Sequence, residues 1–205
     1  MTAPLKLTRE RLIAEAAYLF ARHGYGGTST EMIIHELGVS RPTLYAHVRS
    51  KEGLLQLVCE EAMAFFEVEL VKHVRPADPP LTRMRGIIML NLEGITKLRY
   101  SIQVVLATQA TARRNPRNLD FWHRTDLMLL QAIRDAIASG AFSAAIDPTL
   151  VKHTFWAVIN DLVWWYDPEG RLTKEEVADQ VLLMLSGGCA APVSPRPAPT
   201  EGSAS

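Results

Sequence analysis

Residues 28–51 hold the side chains whose types and spacing point most directly to chemistry. Arg41, Thr43, Tyr45 and His47 follow Ser40 in one short, polar stretch. An arginine grips a guanine edge with two donors, and threonine or histidine donates to several base acceptors. Thr28, Thr30 and Lys51 stand where two helices are expected to begin. There, free backbone N–H groups and a side-chain donor together suit a phosphate. This is the chemistry of holding a nucleic acid. More ordinary roles exist for the same residues: Tyr45 as a core aromatic with a surface hydroxyl, and Arg41 as a solvated charge. His47 faces solvent on any helical wheel that buries Leu44 and Val48.

The elements that must position these groups are legible from caps and breakers. Leu12, Ile13, Ala16, Ala17 and Phe20 form one face of a helix near 8–23, which stops at His23-Gly24. Thr28-Ser29-Thr30-Glu31 reads as a capping box opening a second helix, with the Thr28 hydroxyl and Glu31 satisfying free N–H groups. That helix ends at Leu37-Gly38. A two-turn helix follows Ser40 with Pro42 in its first turn, and Ser50 caps a long helix near 51–74. Helix, tight turn at Gly38-Val39-Ser40 and short helix make a helix-turn-helix, whose inner angle Ile33, Leu37, Val39 and Leu44 bury. The face of the short helix is then free to enter a major groove.

The runs Phe20-Ala21-Arg22-His23-Gly24-Tyr25, Thr28-Ser29, Gly38-Val39-Ser40-Arg41, Leu44-Tyr45-Ala46-His47 and Ser50-Lys51-Glu52 carry a family likeness. At these offsets, residues 8 to about 55 resemble the N-terminal domain of the TetR family of transcriptional repressors. The resemblance implies an all-α homodimer that binds double-stranded DNA at an inverted-repeat operator and senses a small molecule with a divergent helical domain. It also implies that Thr28, Arg41, Thr43, Tyr45, His47 and Lys51 fall at positions the family uses against DNA; Thr30 and Pro42 are counted with them. Three residues depart from the family pattern: Pro42 replaces a glycine, Val48 a phenylalanine and Ile34 a small residue.

Beyond the Asp78-Pro79-Pro80 linker, apolar spacing predicts helices near 80–96, 99–113, 116–139, 149–166 and 173–186, about nine in all. Asn115-Pro116 and Asp147-Pro148 read as N-caps followed by proline, and Thr173-Lys174-Glu175-Glu176 as a further capping box. No strand is needed. Residues 1–53 then form the DNA-binding domain, 54–186 the ligand-binding and dimerisation domain, and the proline-rich 187–205 a disordered tail. Met89, Leu92, Tyr100, Val104, Phe121 and Trp122 are candidates for an apolar ligand cavity, although any one of them suits a plain core. Helix 149–166 and the helix after it look too apolar for one chain to cover. Trp156, Val163, Val177, Val181, Leu182 and Leu185 are therefore expected in a dimer interface.

The stretch Trp164-Trp165-Tyr166-Asp167-Pro168-Glu169-Gly170-Arg171-Leu172 resembles a loop in a TetR branch that controls fatty-acid and steroid breakdown and senses acyl-CoA thioesters. That likeness gives Trp164 an acyl body and Arg171 a phosphate or carboxylate; a tight Pro-Gly turn is the alternative. The Arg113-Arg114-Asn115-Pro116-Arg117 cluster is a further candidate for CoA phosphates.

Composition limits the other classes. The 205 residues carry 22 Lys plus Arg against 22 Asp plus Glu, which excludes a histone-like polycation. Residues 1–53 hold seven Lys or Arg against five Glu, a net of only +2. Cys59 and Cys189 make neither a disulfide framework nor a zinc site. No apolar run reaches a membrane span of about 20 residues, and the first residues lack a signal peptide; a cytoplasmic protein with no membrane partner is expected. An enzyme or a helical adaptor are the alternatives to a regulator. No Glu-x-x-His or His-Glu-x-x-His spacing, glycine-rich phosphate loop or serine elbow occurs. Glu31 and His35 lie four apart but within the helix-turn-helix. Neither catalysis, metal nor cofactor is expected.

Overall fold

The computed structural model describes residues 7–108 and 116–190. Every element among them is a helix. Helix α1 (Arg9–Gly27) is capped by Thr8, whose hydroxyl accepts from the Arg11 N–H, and is interrupted at Gly24, where φ is +73°. The expected stop at Gly24 is therefore present, with one further turn beyond it. Helix α2 (Thr30–Leu37) ends at Gly38 in the left-handed region, φ +64°, with Val39 donating to the Ile34 carbonyl. Helix α3 (Arg41–His47) is capped by Ser40, and α4 (Lys51–His73) by Ser50.

Helix α5 (Pro80–Ala107) joins the predicted helix 80–96 to the start of the one predicted over 99–113, whose end lies outside the described residues, and is broken at Leu98, where φ −136° and ψ 34° leave the helical range. It is the spine of the molecule, packed against α1 and α4 on one side. On its other sides lie α6 (Pro116–Ala138), α7 (Pro148–Trp165) and α8 (Lys174–Ala190). Arg83 of α5 pairs with Asp135 of α6, and Arg99 donates to the carbonyls of Val163 and Tyr166 at the end of α7. Asp147 caps α7 by accepting from the Leu150 N–H at 2.8 Å. The Thr173–Glu176 box closes as expected, with reciprocal bonds of 2.9 and 3.2 Å. Helix α4 crosses α5 so closely that a Cβ on Gly86 would lie 2.0 Å from the His73 carbonyl oxygen. Only glycine fits there.

Helix α8 continues through Gly187 to Ala190, so the expected tail from residue 187 is helical in its first four positions. Residues 191–205 lie outside the described residues, as do residues 109–115 with Arg113, Arg114 and Asn115; the Arg117 side chain lies outside them too. The domain boundary at 53/54 falls inside α4, whose buried Leu54, Leu55, Val58 and Cys59 continue the core of the first three helices into the second half.

Candidate DNA-binding face and ligand cavity

Helix α3 buries Leu44 alone, while Arg41, Pro42, Tyr45, Ala46 and His47 are exposed and Thr43 is half-buried. A seven-residue helix with one buried side chain is held by its neighbours. Arg11 of α1 donates to the Leu37 carbonyl at the end of α2, at 3.1 Å. Ser40 Oγ accepts from the Thr43 N–H and lies 2.8 Å from the Thr43 hydroxyl. Arg41 forms an exposed ion pair with Glu31 at the start of α2. The Glu31 carboxyl is held below its usual range first by its own backbone N–H at the helix start, then by Thr30 and Arg41. Solvent screens a pair this exposed, so a phosphate or base edge competes easily for Arg41.

Two expected phosphate contacts point inward instead. Thr28 is 1% exposed, and its hydroxyl donates to the carbonyls of Leu19 and Gly24 at 3.1 and 2.9 Å. Its N–H is bound to Gly24 as well. The N-cap of α2 is Ser29, which accepts from the Met32 N–H at 3.1 Å. The reading of Thr28 as cap is thereby corrected: Ser29 caps α2, and in the free protein the buried side of the Gly24 break holds the Thr28 hydroxyl. Lys51 Nζ donates to the carbonyls of Tyr25 and Thr28, each at 2.9 Å, and sits 4.4 Å from the Tyr25 ring centroid. In the free protein it ties the end of α1 to the start of α4.

A cavity of about 500 Å³ opens between α4, α5, α6 and α7. Met63, Phe66, Leu90, Ile102, Phe121 and Trp122 supply part of its apolar wall. Asp126, Lys152, His123, His153, Asn91 and Asn160 are among its polar lining residues. Asp126 accepts from Lys152 at 2.5 Å and from the Trp156 ring N–H at 2.9 Å, so one carboxylate aligns both side chains.

Sequence comparison decides the family. The N-terminal domain of "Bacterial regulatory proteins, tetR family" matches residues 12–58, and the "Tetracyclin repressor-like, C-terminal domain" matches residues 77–189. The chain belongs to the TetR family. It is a DNA-binding transcriptional regulator. The transcriptional repressor KstR2 of Mycolicibacterium smegmatis is 27% identical over 188 residues, covering 88% of this chain and 89% of the relative. KstR2 of Mycobacterium tuberculosis is 28% identical over 190 residues, covering 88% and 92%. The solved structure of that ketosteroid transcriptional regulator superposes with a TM-score of 0.78 at 23% identity, covering 91% of this chain and 98% of that one. AibR, solved with isovaleryl coenzyme A and operator DNA, has a TM-score of 0.70 at 26% identity over 85% and 96%.

Within this TetR-family fold the predicted ligand residues divide. Phe121 and Trp122 line the cavity, whereas Met89, Leu92 and Val104 are buried in the general core. Tyr100 is exposed and packs edge-on against Tyr18 at 5.2 Å. Trp164 is 57% exposed and Arg171 is exposed; neither lines the cavity. Their loop is the tight turn, with Gly170 donating to the Asp167 carbonyl and Arg99 closing the end of α7.

The residues expected at a dimer interface differ in exposure within the protomer. Trp156 belongs to the cavity wall, and Val163, Val177 and Val181 are buried against the protomer's own core. Leu182 and Leu185 are only partly exposed. The apolar residues left exposed are Leu150, Ala157 and Trp164 on α7 and Leu183 and Met184 on α8. Lys152, His153, Asp126 and Asn160 were missed. The signal was present as Lys152, Trp156 and Asn160 at i, i+4 and i+8 on one face of α7.

Proposed function

We propose that the chain is a homodimeric, non-enzymatic repressor of the cytoplasm that binds an inverted-repeat operator and is released by an apolar acid of the acyl-CoA thioester class. Thr30, Arg41, Pro42, Thr43, Tyr45 and His47 face the operator; Thr28 and Lys51 act through the shape of the helix-turn-helix. The dimer forms through α7 and α8, each of which leaves large apolar side chains exposed, among them Leu150, Trp164, Leu183 and Met184.

The observation that carries the effector is the cavity: an aromatic and aliphatic lining that also includes Lys152, His123 and His153. Asp126 holds both Lys152 and Trp156, so an incoming anion meets a cation already oriented in the cavity. The similarity to the KstR2 repressors, and to AibR solved with an acyl-CoA, supports the same class. The test titrates a preformed protein–operator complex with isovaleryl-CoA, a longer acyl-CoA and free coenzyme A. Release by an acyl-CoA at concentrations where coenzyme A alone does nothing is expected. Release by cationic amphiphiles only overturns the effector class.

A further inference from the structure

A third cluster of reactive groups lies away from both sites, on the outer side of the α4–α5 crossing. Glu69 and His73 are four residues apart on the last turns of α4 and so share one face. Glu93 reaches the same point from α5, with its Oε2 2.8 Å from His73 Nε2. One carboxylate oxygen from each glutamate and a ring nitrogen of the histidine all lie within 4.8 Å of one another. The three side chains are only 13%, 20% and 19% exposed. We propose that Glu69, His73 and Glu93 form a binding site for a borderline divalent cation of the Mn2+-to-Zn2+ group.

One imidazole with two carboxylates is the donor set that first-row divalent ions prefer, whereas Ca2+ and Mg2+ take oxygen ligands. Three protein ligands leave coordination positions for water. The scaffold is rigid at this point, because the Gly86 contact presses α4 onto α5 next to His73. Two lysines now answer the carboxylates: Lys72 binds Glu69 and Lys97 binds Glu93, each at 2.7 Å. Both are more than half exposed, so they swing into water when a doubly charged ion replaces them. Lys97 keeps a second resting place over the Phe65 ring, 5.3 Å from its centroid. No spacing in the sequence reveals the site, since its third ligand comes from another helix. Helix α4 begins beside the helix-turn-helix and ends at this cluster, so a bound cation fastens the far end of the element that carries the DNA-binding head.

The experiment uses the full, untagged chain titrated calorimetrically with Zn2+, and with Co2+ for its visible absorption. One Zn2+ per protomer and a Co2+ band in the visible are expected. His73→Gln or Glu93→Gln lowers Zn2+ affinity by at least about 10- to 100-fold, the loss already typical of outer-shell partners. Lys97→Met tightens binding by removing a competitor, a gain that misfolding does not imitate. His153→Gln, in the cavity, leaves it unchanged. Absence of binding, binding indifferent to His73→Gln, weaker binding in Lys97→Met, or Ca2+ bound as well as Zn2+ each overturns the assignment. None of these readouts involves DNA or an acyl-CoA.

Discussion

Helices α3 and α7 both leave large polar and aromatic side chains uncovered, for different reasons. Helix α3 has two turns and one buried residue, Leu44; nearly all of its remaining surface is available to a partner outside the chain. Helix α7 has five turns and three uses. Val151, Phe155, Ile159, Leu162 and Val163 face the core. Lys152, Trp156 and Asn160 face the cavity, and Leu150, Ala157 and Trp164 remain open. A short helix held by its neighbours shows its function on its surface. A long central helix divides its surface among core, ligand and partner, and residue type alone does not say which gets which.

The sharpest break of this comparison uses neighbouring residues of α7. Val163 is 0% exposed, so Val163→Asp puts an unpaired charge in an apolar core. That costs several kcal/mol, a large part of the roughly 5–15 kcal/mol that hold a domain together. We expect loss of the cooperative melt by circular dichroism. The double variant Trp164→Asp/Leu183→Asp, on positions 57% and 69% exposed, keeps its helices but runs as a monomer by light scattering and loses operator binding. A dimeric double variant would falsify the placement of the interface.

The same contrast explains what was legible. The head is built from local devices: Ser40 and Ser50 caps, the Gly24 and Gly38 left-handed stops, and a turn of fixed length. Each of these depends on residues a few positions apart. Thr28 was misread because the choice between it and Ser29 as the cap depends on the Leu19 carbonyl, nine residues away. In the second half, Trp156 and Val163 sit on a helix apolar nearly all round, so its pattern gives no direction. Asp126, 26 residues before Lys152, orients that lysine in the cavity. Helix α5 reads as two because its break at Leu98 is real, yet the chain resumes the helix after it.

Next in size is the effector contact. Charge-assisted pairs contribute about 1.5–3 kcal/mol, so Lys152→Met weakens acyl-CoA release of the operator by roughly 10- to 150-fold. Arg171→Ala, on the exposed turn, leaves release unchanged. The reverse result returns the anion site to that turn and makes the cavity's polar lining merely structural.

A smaller effect separates contact from support in the head. Thr28→Val removes a hydroxyl shared by two carbonyls and lowers stability by about 1 kcal/mol. The salt dependence of operator binding stays as it was, because no phosphate contact is lost. Arg41→Ala, by contrast, changes affinity unevenly across operator variants while leaving the melting temperature in place. A reduced salt slope for Thr28→Val shows that its hydroxyl leaves the Leu19 carbonyl for a phosphate on DNA.

The smallest effect lies where the two regions meet. Glu61 of α4 accepts a hydrogen bond from Ser101 of α5 at 3.3 Å and feels Arg9 and Glu10 of α1. Burial raises its pKa, and the Ser101 bond and Arg9 offset this only in part. A carboxyl whose folded pKa lies above the unfolded one favours the fold when protonated. That contribution is complete below the unfolded value and is lost as pH rises through the folded one. At neutral pH the ionised Glu61 therefore weakens the joint between head and sensor. Glu61→Gln keeps an acceptor for Ser101 without the charge. It should raise the melting temperature at pH 7, by an amount that shrinks as pH falls through the carboxylate range and vanishes below it. A variant less stable than the parent at pH 7 means that attraction from Arg9 outweighs burial, and that the charge on Glu61 helps hold the DNA-binding head against the sensing half.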